Sequence, residues 1–172
     1  MNDSAKNIVM FGGTFDPWSS AHQEIVERLA LKYDNVIVVP TNINYYKKNT
    51  QMFSYEERFD FARENTKSIK NVEVLDIERN VDRDWRFIDS LKLLISKYGP
   101  SNNYFVAMGA DCLQALKTWY NWQEIPKLAS IVVFTRPGYE TNVSDIPYTT
   151  LPMNNSISST QLRKELSKSD GK

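Results

Sequence analysis

The sequence predicts an α/β fold with an open, mostly parallel sheet and helices on both of its faces. Two observations carry this prediction: short, continuous apolar runs alternate along the chain with segments of helical period, and glycine or proline closes several of these runs. Continuous apolarity is typical of parallel strands covered on both faces, and strands that alternate with helices favour a parallel sheet. The length of 172 residues and the hydrophobic share of 41% allow one sizeable core, so we expect a single domain over residues 1–172.

The strands are predicted where apolar residues follow one another without interruption. Gly12-Gly13 ends the first run and Pro40 ends the second, so each of these strands leads into a turn. In chain order, we expect strands at residues 8–11, 36–39, 72–77, 104–108 and 131–134, with a further short strand near 148–151. The polar stretch 41–52 is expected to form a loop over a site or a surface.

The helices are predicted where apolar residues recur three or four positions apart. Ile25, Val26 and Leu29 share one helical face after Asp16-Pro17, and a capping box begins a second helix at Ser54. Further helices are expected over residues 87–98, where Gly99-Pro100 ends the pattern, as a helix or turn over about 113–122, and as a last short helix after 158–160.

Composition excludes several classes of function. The 21 basic residues balance the 21 acidic ones, so the chain has no overall field for a polyanion, and we expect no nucleic-acid partner. The single cysteine, Cys112, cannot form an internal disulfide, and no Cys/His cluster has the spacing of a zinc site, which favours a reducing, cytoplasmic setting. No apolar run approaches the length of about 18 residues expected of a membrane span, so we expect no membrane partner.

The loop after the first strand is a candidate phosphate site. Two glycines, Gly12 and Gly13, allow the backbone to approach an anion closely, and the helix that follows offers free N–H groups and a partial positive charge. The only histidine, His22, falls about one turn into that helix, where its ring could face the anion. The structural alternative is a tight turn that needs glycine, with a histidine that only packs.

The segment 157–163 near the C-terminus is a second candidate anion site. Ser158, Ser159 and Thr160 stand at a predicted helix start, and Arg163 follows one turn later. Together they could donate several hydrogen bonds to phosphate oxygens. The structural alternative for this segment is an ordinary hydroxyl cap with a solvated arginine. The presence of two candidate anion sites favours a ligand such as a nucleoside triphosphate, whose anionic groups could contact both.

These residues carry a family resemblance. The stretch Gly12-Gly13-Thr14-Phe15-Asp16-Pro17-Trp18-Ser19-Ser20-Ala21-His22 resembles the signature of the nucleotidylyltransferase superfamily, and residues 157–163 resemble its second signature. Three further motifs, Gly109-Ala110-Asp111, Trp119-Tyr120-Asn121-Trp122 and Arg136-Pro137-Gly138, follow in the order found in bacterial nicotinate mononucleotide adenylyltransferases. The resemblance covers nearly the whole chain and implies a Rossmann-like fold, with a signature loop over 12–22 and a phosphate-binding motif over 157–163.

The resemblance implies adenylyl transfer from ATP to nicotinate mononucleotide, which forms nicotinate adenine dinucleotide and pyrophosphate in NAD biosynthesis. The family uses direct in-line attack with Mg²⁺ carried on the ATP phosphates, which agrees with catalysis by positioning and charge stabilisation. By position, the catalytic residues would be His22, Ser19 and Arg163, and no residue of the chain itself is expected to hold the metal. The partners implied are ATP and a pyridine mononucleotide, and a homo-oligomer is left open.

The implied binding residues divide between the two substrates. ATP would be held by both glycine-containing loops and the C-terminal motif, namely Gly12, Gly13, Thr14, Phe15, His22, Gly109, Asp111, Ser158, Ser159, Thr160 and Arg163. The acceptor would be held by Asp16, Lys48, Arg86 and Trp119, with Trp119 matching the aromatic residue that stacks on the pyridine ring. The structural alternative for Trp119 and Trp122 is packing within the core or against a helix.

The departures from the family pattern concentrate on the acceptor. Ser19 replaces the usual first histidine and Ala21 the usual glycine, while Tyr45-Tyr46-Lys47-Lys48 stands where Pro-Pro-His-Lys is usual. Trp85-Arg86-Phe87 replaces the Ser-Tyr-Thr that helps to seat the nicotinate. Arg83 or Arg86 could pair with the nicotinate carboxylate, or the departures could indicate nicotinamide mononucleotide, another phosphorylated acceptor, or a nucleotide-sensing domain with weak turnover. The structural alternative for Arg83 and Arg86 is a solvated, charged loop.

Overall fold

The sheet of this protein is wholly parallel across the described residues. The computed structural model describes residues 5–42, 52–81, 85–135 and 145–153. Within these ranges the strands lie in the order β3-β2-β1-β4-β5-β6, and every neighbouring pair is parallel. Their bounds are β1 (Asn7–Gly13), β2 (Asn35–Pro40), β3 (Val72–Val74), β4 (Asn103–Gly109), β5 (Ser130–Thr135) and β6 (Thr149–Pro152).

The helices connect successive strands. Their bounds are α1 (Ser20–Lys32), α2 (Tyr55–Thr66), α3 (Phe87–Tyr98), α4 (Ala110–Ala115) and α5 (Ile125–Leu128), with 3-10 turns at Leu116–Thr118 and Trp122–Glu124. Serine caps begin the first two helices: Ser19 and Ser54 each accept the N–H of the third helical residue, and the side chain of that residue accepts the serine N–H. No helix among the described residues is long and apolar enough to cross a membrane.

Two hydrophobic cores lie on opposite faces of the sheet. Ile8 and Met10 of β1 enter the core that contains α3, whereas Val9 and Phe11 enter the core that contains α1 and α2. Successive strand residues point to opposite faces, so a strand with apolar residues at every position needs a helix layer on each side. The predicted fold class is confirmed.

The described elements match the sequence-based expectations to within two residues at most strand ends, with two larger differences in extent and one short helix, α5, that was not predicted. The strand predicted over 72–77 ends at Val74, and this edge strand pairs with β2 alone. The stretch expected as a helix or turn over about 113–122 is a short helix followed by turns, and Asn121, with a φ of 52°, interrupts the helical path. The helix expected after 158–160 and most of the loop over 41–52 lie outside the described residues.

The strand order places a crevice beside β1. The chain moves from β1 to β2 and β3 on one side and reaches β4, β5 and β6 on the other, so the order reverses between β1 and β4. Ligands of open parallel sheets bind outside the carboxyl ends of the strands at such a reversal. The glycines at the ends of β1 and β4 lie at this edge, as the sequence predicts.

Candidate functional site

The loop that leaves β1 is held in a tightly packed conformation. Thr41 donates its N–H to the Gly13 carbonyl at 2.8 Å, which ties the end of β2 to the start of the loop. Phe15 has a φ of 53° and is almost completely buried. A Cβ on Gly13 would lie 2.8 Å from the Phe15 ring, so this close approach requires glycine.

His22 faces an aromatic wall formed by this loop. It is the third residue of α1, and its ring centroid lies 5.0 Å from that of Phe15, edge to face, and 5.5 Å from that of Trp18. Phe11 of β1 lies 6.3 Å away on another side. The wall restricts the rotation of the imidazole and keeps it beside the N-terminus of α1.

The hydrogen bonds of His22 define which ring nitrogen carries the proton. Nδ1 accepts the backbone N–H of Ser19 at 3.0 Å and lies 3.1 Å from the Ser19 hydroxyl oxygen. A backbone N–H can only donate, so Nδ1 must be the acceptor and the neutral ring carries its proton on Nε2. The Nε2–H group is therefore the donor that the ring can offer to an anion at the helix N-terminus.

Ser19 acts on His22 in this geometry. The serine is 3% exposed, and its hydroxyl oxygen also accepts the His22 backbone N–H at 3.3 Å. It thus caps α1 and orients the imidazole at the same time. The direct catalytic role expected for Ser19 stays a prediction, and the described contacts connect its side chain to His22.

Asp16 is directed into the protein. Its carboxylate, 1% exposed, accepts the backbone N–H groups of Met52 at 2.7 Å and of Phe53 at 2.8 Å. The contact expected between Asp16 and the acceptor stays a prediction. In the described geometry Asp16 instead fixes the backbone just before α2.

Arg58 is a functional candidate that sequence reasoning missed. It is 1% exposed, and its guanidinium donates to the carbonyl oxygens of Thr14 and Thr41 through Nη1 and of Phe53 through Nε. Burial lowers the pKa of Arg58 from its ordinary value, and the charge of Asp16 opposes this effect. Arg58 lies four residues before the buried Ala62, on the same face of α2, where an apolar pattern predicts no charged side chain.

The end of β4 forms the other side of the crevice. Gly109 precedes the first residue of α4, and a Cβ there would lie 3.1 Å from the Phe134 ring. Phe134 in turn packs edge to face against Phe11, with centroids 5.7 Å apart. Asp111, in the first turn of α4, is exposed. The two residues expected at the nucleotide, Gly109 and Asp111, therefore lie at the same edge of the sheet as the β1 loop.

An aromatic pair lies at the start of α3. Arg86 caps this helix, and Phe87, its first residue, contacts Trp119 with ring centroids 5.1 Å apart. The Phe87 ring also lies 3.8 Å from where a Cβ on Gly12 would stand. The predicted acceptor residues Arg86 and Trp119 are thus brought near the β1 loop, and Phe87 is an additional residue that the sequence had shown only as a departure from the family pattern.

A buried carboxylate connects this region to the end of β2. Glu78 accepts the backbone N–H of Asn42 and the hydroxyl of Ser90, and Ser90 accepts the indole N–H of Trp85. Burial raises the pKa of Glu78, and the hydrogen bonds from Ser90 and Asn42 oppose that rise. The network joins the segment before α3 to the last described residue after β2.

Several predicted site residues lie outside the described part of the chain. They are Lys48, which was expected at the acceptor phosphate, Arg83, and the four residues of the C-terminal motif, Ser158, Ser159, Thr160 and Arg163. Among the described residues, no three His, Cys, Asp or Glu side chains group closely enough to hold a metal ion.

Comparison with protein families and sequences gives consistent matches. A model of the cytidylyltransferase-like family matches residues 10–165. A probable nicotinate-nucleotide adenylyltransferase of Aliarcobacter butzleri is 32% identical over 162 residues, which cover 92% of this chain and 87% of the relative. Another, of Sulfurimonas denitrificans, is 35% identical over 163 residues, which cover 92% of this chain and 85% of the relative.

Comparison with solved structures shows the same fold. A putative nicotinate-nucleotide adenylyltransferase from Vibrio parahaemolyticus matches with a TM-score of 0.69 at 20% identity, covering 95% of this chain and 82% of that chain. The Plasmodium falciparum nicotinic acid mononucleotide adenylyltransferase complexed with NaAD matches with a TM-score of 0.73 at 17% identity, covering 92% of this chain and 83% of that chain. At these identities the likeness concerns the fold alone.

Proposed function

Because the chain belongs to the cytidylyltransferase-like family, and its sequence relatives are probable nicotinate-nucleotide adenylyltransferases, we propose that it transfers the adenylyl group of ATP to nicotinate mononucleotide. The products are nicotinate adenine dinucleotide and pyrophosphate. The observation that carries the proposal is the position of His22, whose Nε2 is the proton-bearing nitrogen at the N-terminus of α1 beside the β1 loop.

The ATP phosphates belong at the carboxyl ends of β1 and β4. The N-terminus of α1 offers backbone N–H groups and a partial positive charge, and the glycines at 12, 13 and 109 leave room for close approach. Nucleotidyltransferases use a divalent metal with ATP, and Mg²⁺ is usually bound largely by substrate phosphates. We therefore propose MgATP as the substrate, with Mg²⁺ held by the phosphate oxygens.

The reaction needs no protein nucleophile. A phosphate oxygen of the acceptor attacks the α-phosphorus of ATP in line, and the bond between that phosphorus and the bridging oxygen to the β-phosphate breaks as pyrophosphate leaves. His22 Nε2–H donates to the phosphate oxygens as their negative charge develops. Ser19 holds the imidazole in the donating orientation, and Arg163 with the preceding hydroxyl residues is proposed to hold the β- and γ-phosphates.

The acceptor belongs on the side of α3. Phe87 and Trp119 offer aromatic faces to a pyridine ring, and the half-buried Arg86 stands next to them. The structures from Plasmodium falciparum contain APC or NaAD, which supports a site for ATP and a pyridine nucleotide in this fold. The single cysteine fits a cytoplasmic setting for the reaction.

The test is pyrophosphate release with MgATP over a panel of acceptors. We expect the highest kcat/KM for nicotinate mononucleotide, about one to two decades above that for the nicotinamide form, because the neutral amide cannot form an ion pair with an arginine. Arg86→Ala and Arg83→Ala, compared with Lys127→Ala as a control for loss of positive charge, identify the arginine that discriminates. Faster turnover of the nicotinamide form would assign the alternative acceptor, and ATP binding without turnover of any acceptor would contradict the proposal.

A further inference from the structure

A buried arginine connects three segments at the proposed active site. Arg58 donates to the carbonyl of Thr14 at 2.8 Å, of Thr41 at 2.6 Å and of Phe53 at 3.1 Å. Thr14 belongs to the loop after β1, Thr41 follows β2, and Phe53 precedes α2. Few arginines are buried so fully, since a charge without partners is costly to remove from water.

Asp16 completes the arrangement from the opposite direction. While Arg58 reaches from α2 to the β1 loop, Asp16 reaches from the β1 loop to the backbone before α2, where it accepts the N–H groups of Met52 and Phe53. The positive charge of Arg58 is attracted to the Asp16 carboxylate, which is also buried. The two side chains therefore bind the same two segments to each other through backbone groups.

We propose that Arg58, with Asp16, is a positioning residue for adenylyl transfer. It fixes the Thr14 carbonyl, so the peptide groups of the β1 loop are held in place before ATP binds. It also fixes Thr41 and Phe53, which lie on either side of segment 43–51 in the chain. The inference rests on the proposed function, because it concerns the geometry in which ATP and the acceptor meet.

The guanidinium is suited to this role and an ammonium is not. Its planar fork sends Nη1 to two carbonyl oxygens and Nε to a third, whereas a lysine ends in one compact, strongly hydrated charge. Arg58→Lys keeps the charge and most of the volume while losing the fork. It is therefore the informative substitution, and Arg63→Lys, at an exposed position of the same helix, is its matched control.

The experiment measures kcat with MgATP and nicotinate mononucleotide, the Kd of MgATP without acceptor, and the melting temperature. For Arg58→Lys we expect kcat to fall about 10²-fold, since a displacement of about 1 Å can cost that much, and the Kd to rise only several-fold. Arg63→Lys should match the wild type in both. A folded Arg58→Lys variant with kcat within about threefold of wild type would overturn the proposal, because misplacement should cost more.

Two further readouts separate the possible failures. If the wild type turns over no acceptor, the proposed function fails, and the Kd of MgATP alone then tests Arg58. An unchanged Kd in Arg58→Lys overturns the positioning role of Arg58, and a raised Kd supports it. Should Arg58→Lys not fold, Arg58→Gln, which keeps a planar donor group, is measured in the same way. A fall in kcat of about 10²-fold with a Kd changed only several-fold supports the proposal, and a kcat within about threefold of wild type overturns it.

Discussion

At the scale of the single residue, His22 is the proposed catalytic donor. Its proton sits on Nε2 because a backbone N–H occupies Nδ1, and its ring cannot rotate freely between Phe15 and Trp18. A donor fixed in this way stabilises charge that appears only in the transition state, without the cost of ordering it during the reaction.

We expect His22→Ala to lower kcat by about 10²-fold or more and to change the KM of the acceptor little, because the lost interaction belongs to the transition state. Steady-state kinetics with both substrates varied give the two parameters. Glu27→Ala, an exposed position further along the same helix, controls for perturbation of α1. A kcat that stays within about threefold, worth less than about 1 kcal/mol, would remove His22 from the chemical step.

At the scale of the element, the start of α1 combines capping with positioning. The Ser19 hydroxyl accepts the His22 N–H and lies beside its Nδ1, so one side chain stabilises the helix and the imidazole together. The start of α2 has the same capping box at Ser54 without a histidine. The chain thus contains a matched pair of caps, only one of which touches the proposed catalytic residue.

Ser19→Ala and Ser54→Ala should each lower the free energy of unfolding by about 1 kcal/mol, the usual worth of a serine cap. Only Ser19→Ala should also lower kcat, and by less than His22→Ala, because the Ser19 backbone N–H still holds Nδ1. Urea unfolding and kcat measured on both variants distinguish the roles. Equal losses of kcat in the two variants would mean that the Ser19 hydroxyl acts on stability alone.

The Glu78 network links the end of β2 to α3 and makes stability depend on pH. Burial raises the pKa of Glu78 above its ordinary value of 4.5, so the folded state holds this proton more tightly than the unfolded state. The resulting stability is complete below pH 4.5 and is lost as pH rises through the folded pKa.

The difference in unfolding free energy between wild type and Glu78→Gln should therefore decrease as pH rises from 4.5, by about 1.4 kcal/mol for each pH unit that separates the folded pKa from the unfolded one. Urea titrations between pH 4 and pH 8 measure it, with the exposed Glu27→Gln as control. A difference that is constant with pH, or that increases, would contradict the raised pKa.

Sequence patterns predict the helices and strands better than they predict where the side chains of the site point. Helix α3 matches its predicted bounds to the residue, because apolar spacing defines it and Gly99 ends it. The burial of Arg58 was not predicted, because a buried helical face is identified by apolar residues and a charged residue does not fit that apolar pattern. The backbone partners of Asp16 at Met52 and Phe53 were not predicted, because they are far away in the chain, and its expected contact with the acceptor stays a prediction.

At the scale of the whole molecule, the parallel sheet brings distant segments to one edge. The β1 loop, the end of β4 and the start of α3 are separated by many residues, yet they meet where the strand order reverses. One hydrophobic core lies on each side of this crevice. The core that contains α1 and α2 is on the side of His22, and the core that contains α3 is on the side of Trp119. A ligand bound there contacts both halves of the fold, so its binding should stabilise the molecule as a unit.

MgATP at 100 times its Kd should raise the free energy of unfolding by about 2.7 kcal/mol, since it binds the folded state alone. Arg163 lies outside the described residues, but its proposed contact with the β- and γ-phosphates makes a definite prediction. A charge-assisted bond to phosphate is worth about 1.5–3 kcal/mol, so Arg163→Ala should weaken MgATP binding at least about tenfold. At the same concentration, the stabilisation should then fall to about 1.4 kcal/mol or less.

Thermal or urea unfolding with and without MgATP measures this stabilisation, and Lys164→Ala, which removes the same charge one residue away, is the matched control. Arg163→Ala should also raise the KM for ATP more than that for the acceptor, because the arginine is proposed to contact the triphosphate alone. Equal stabilisation of both variants by MgATP would place Arg163 on a solvated face. Equal weakening of both would mean that the C-terminal segment attracts the triphosphate by its overall charge, without a specific contact from Arg163.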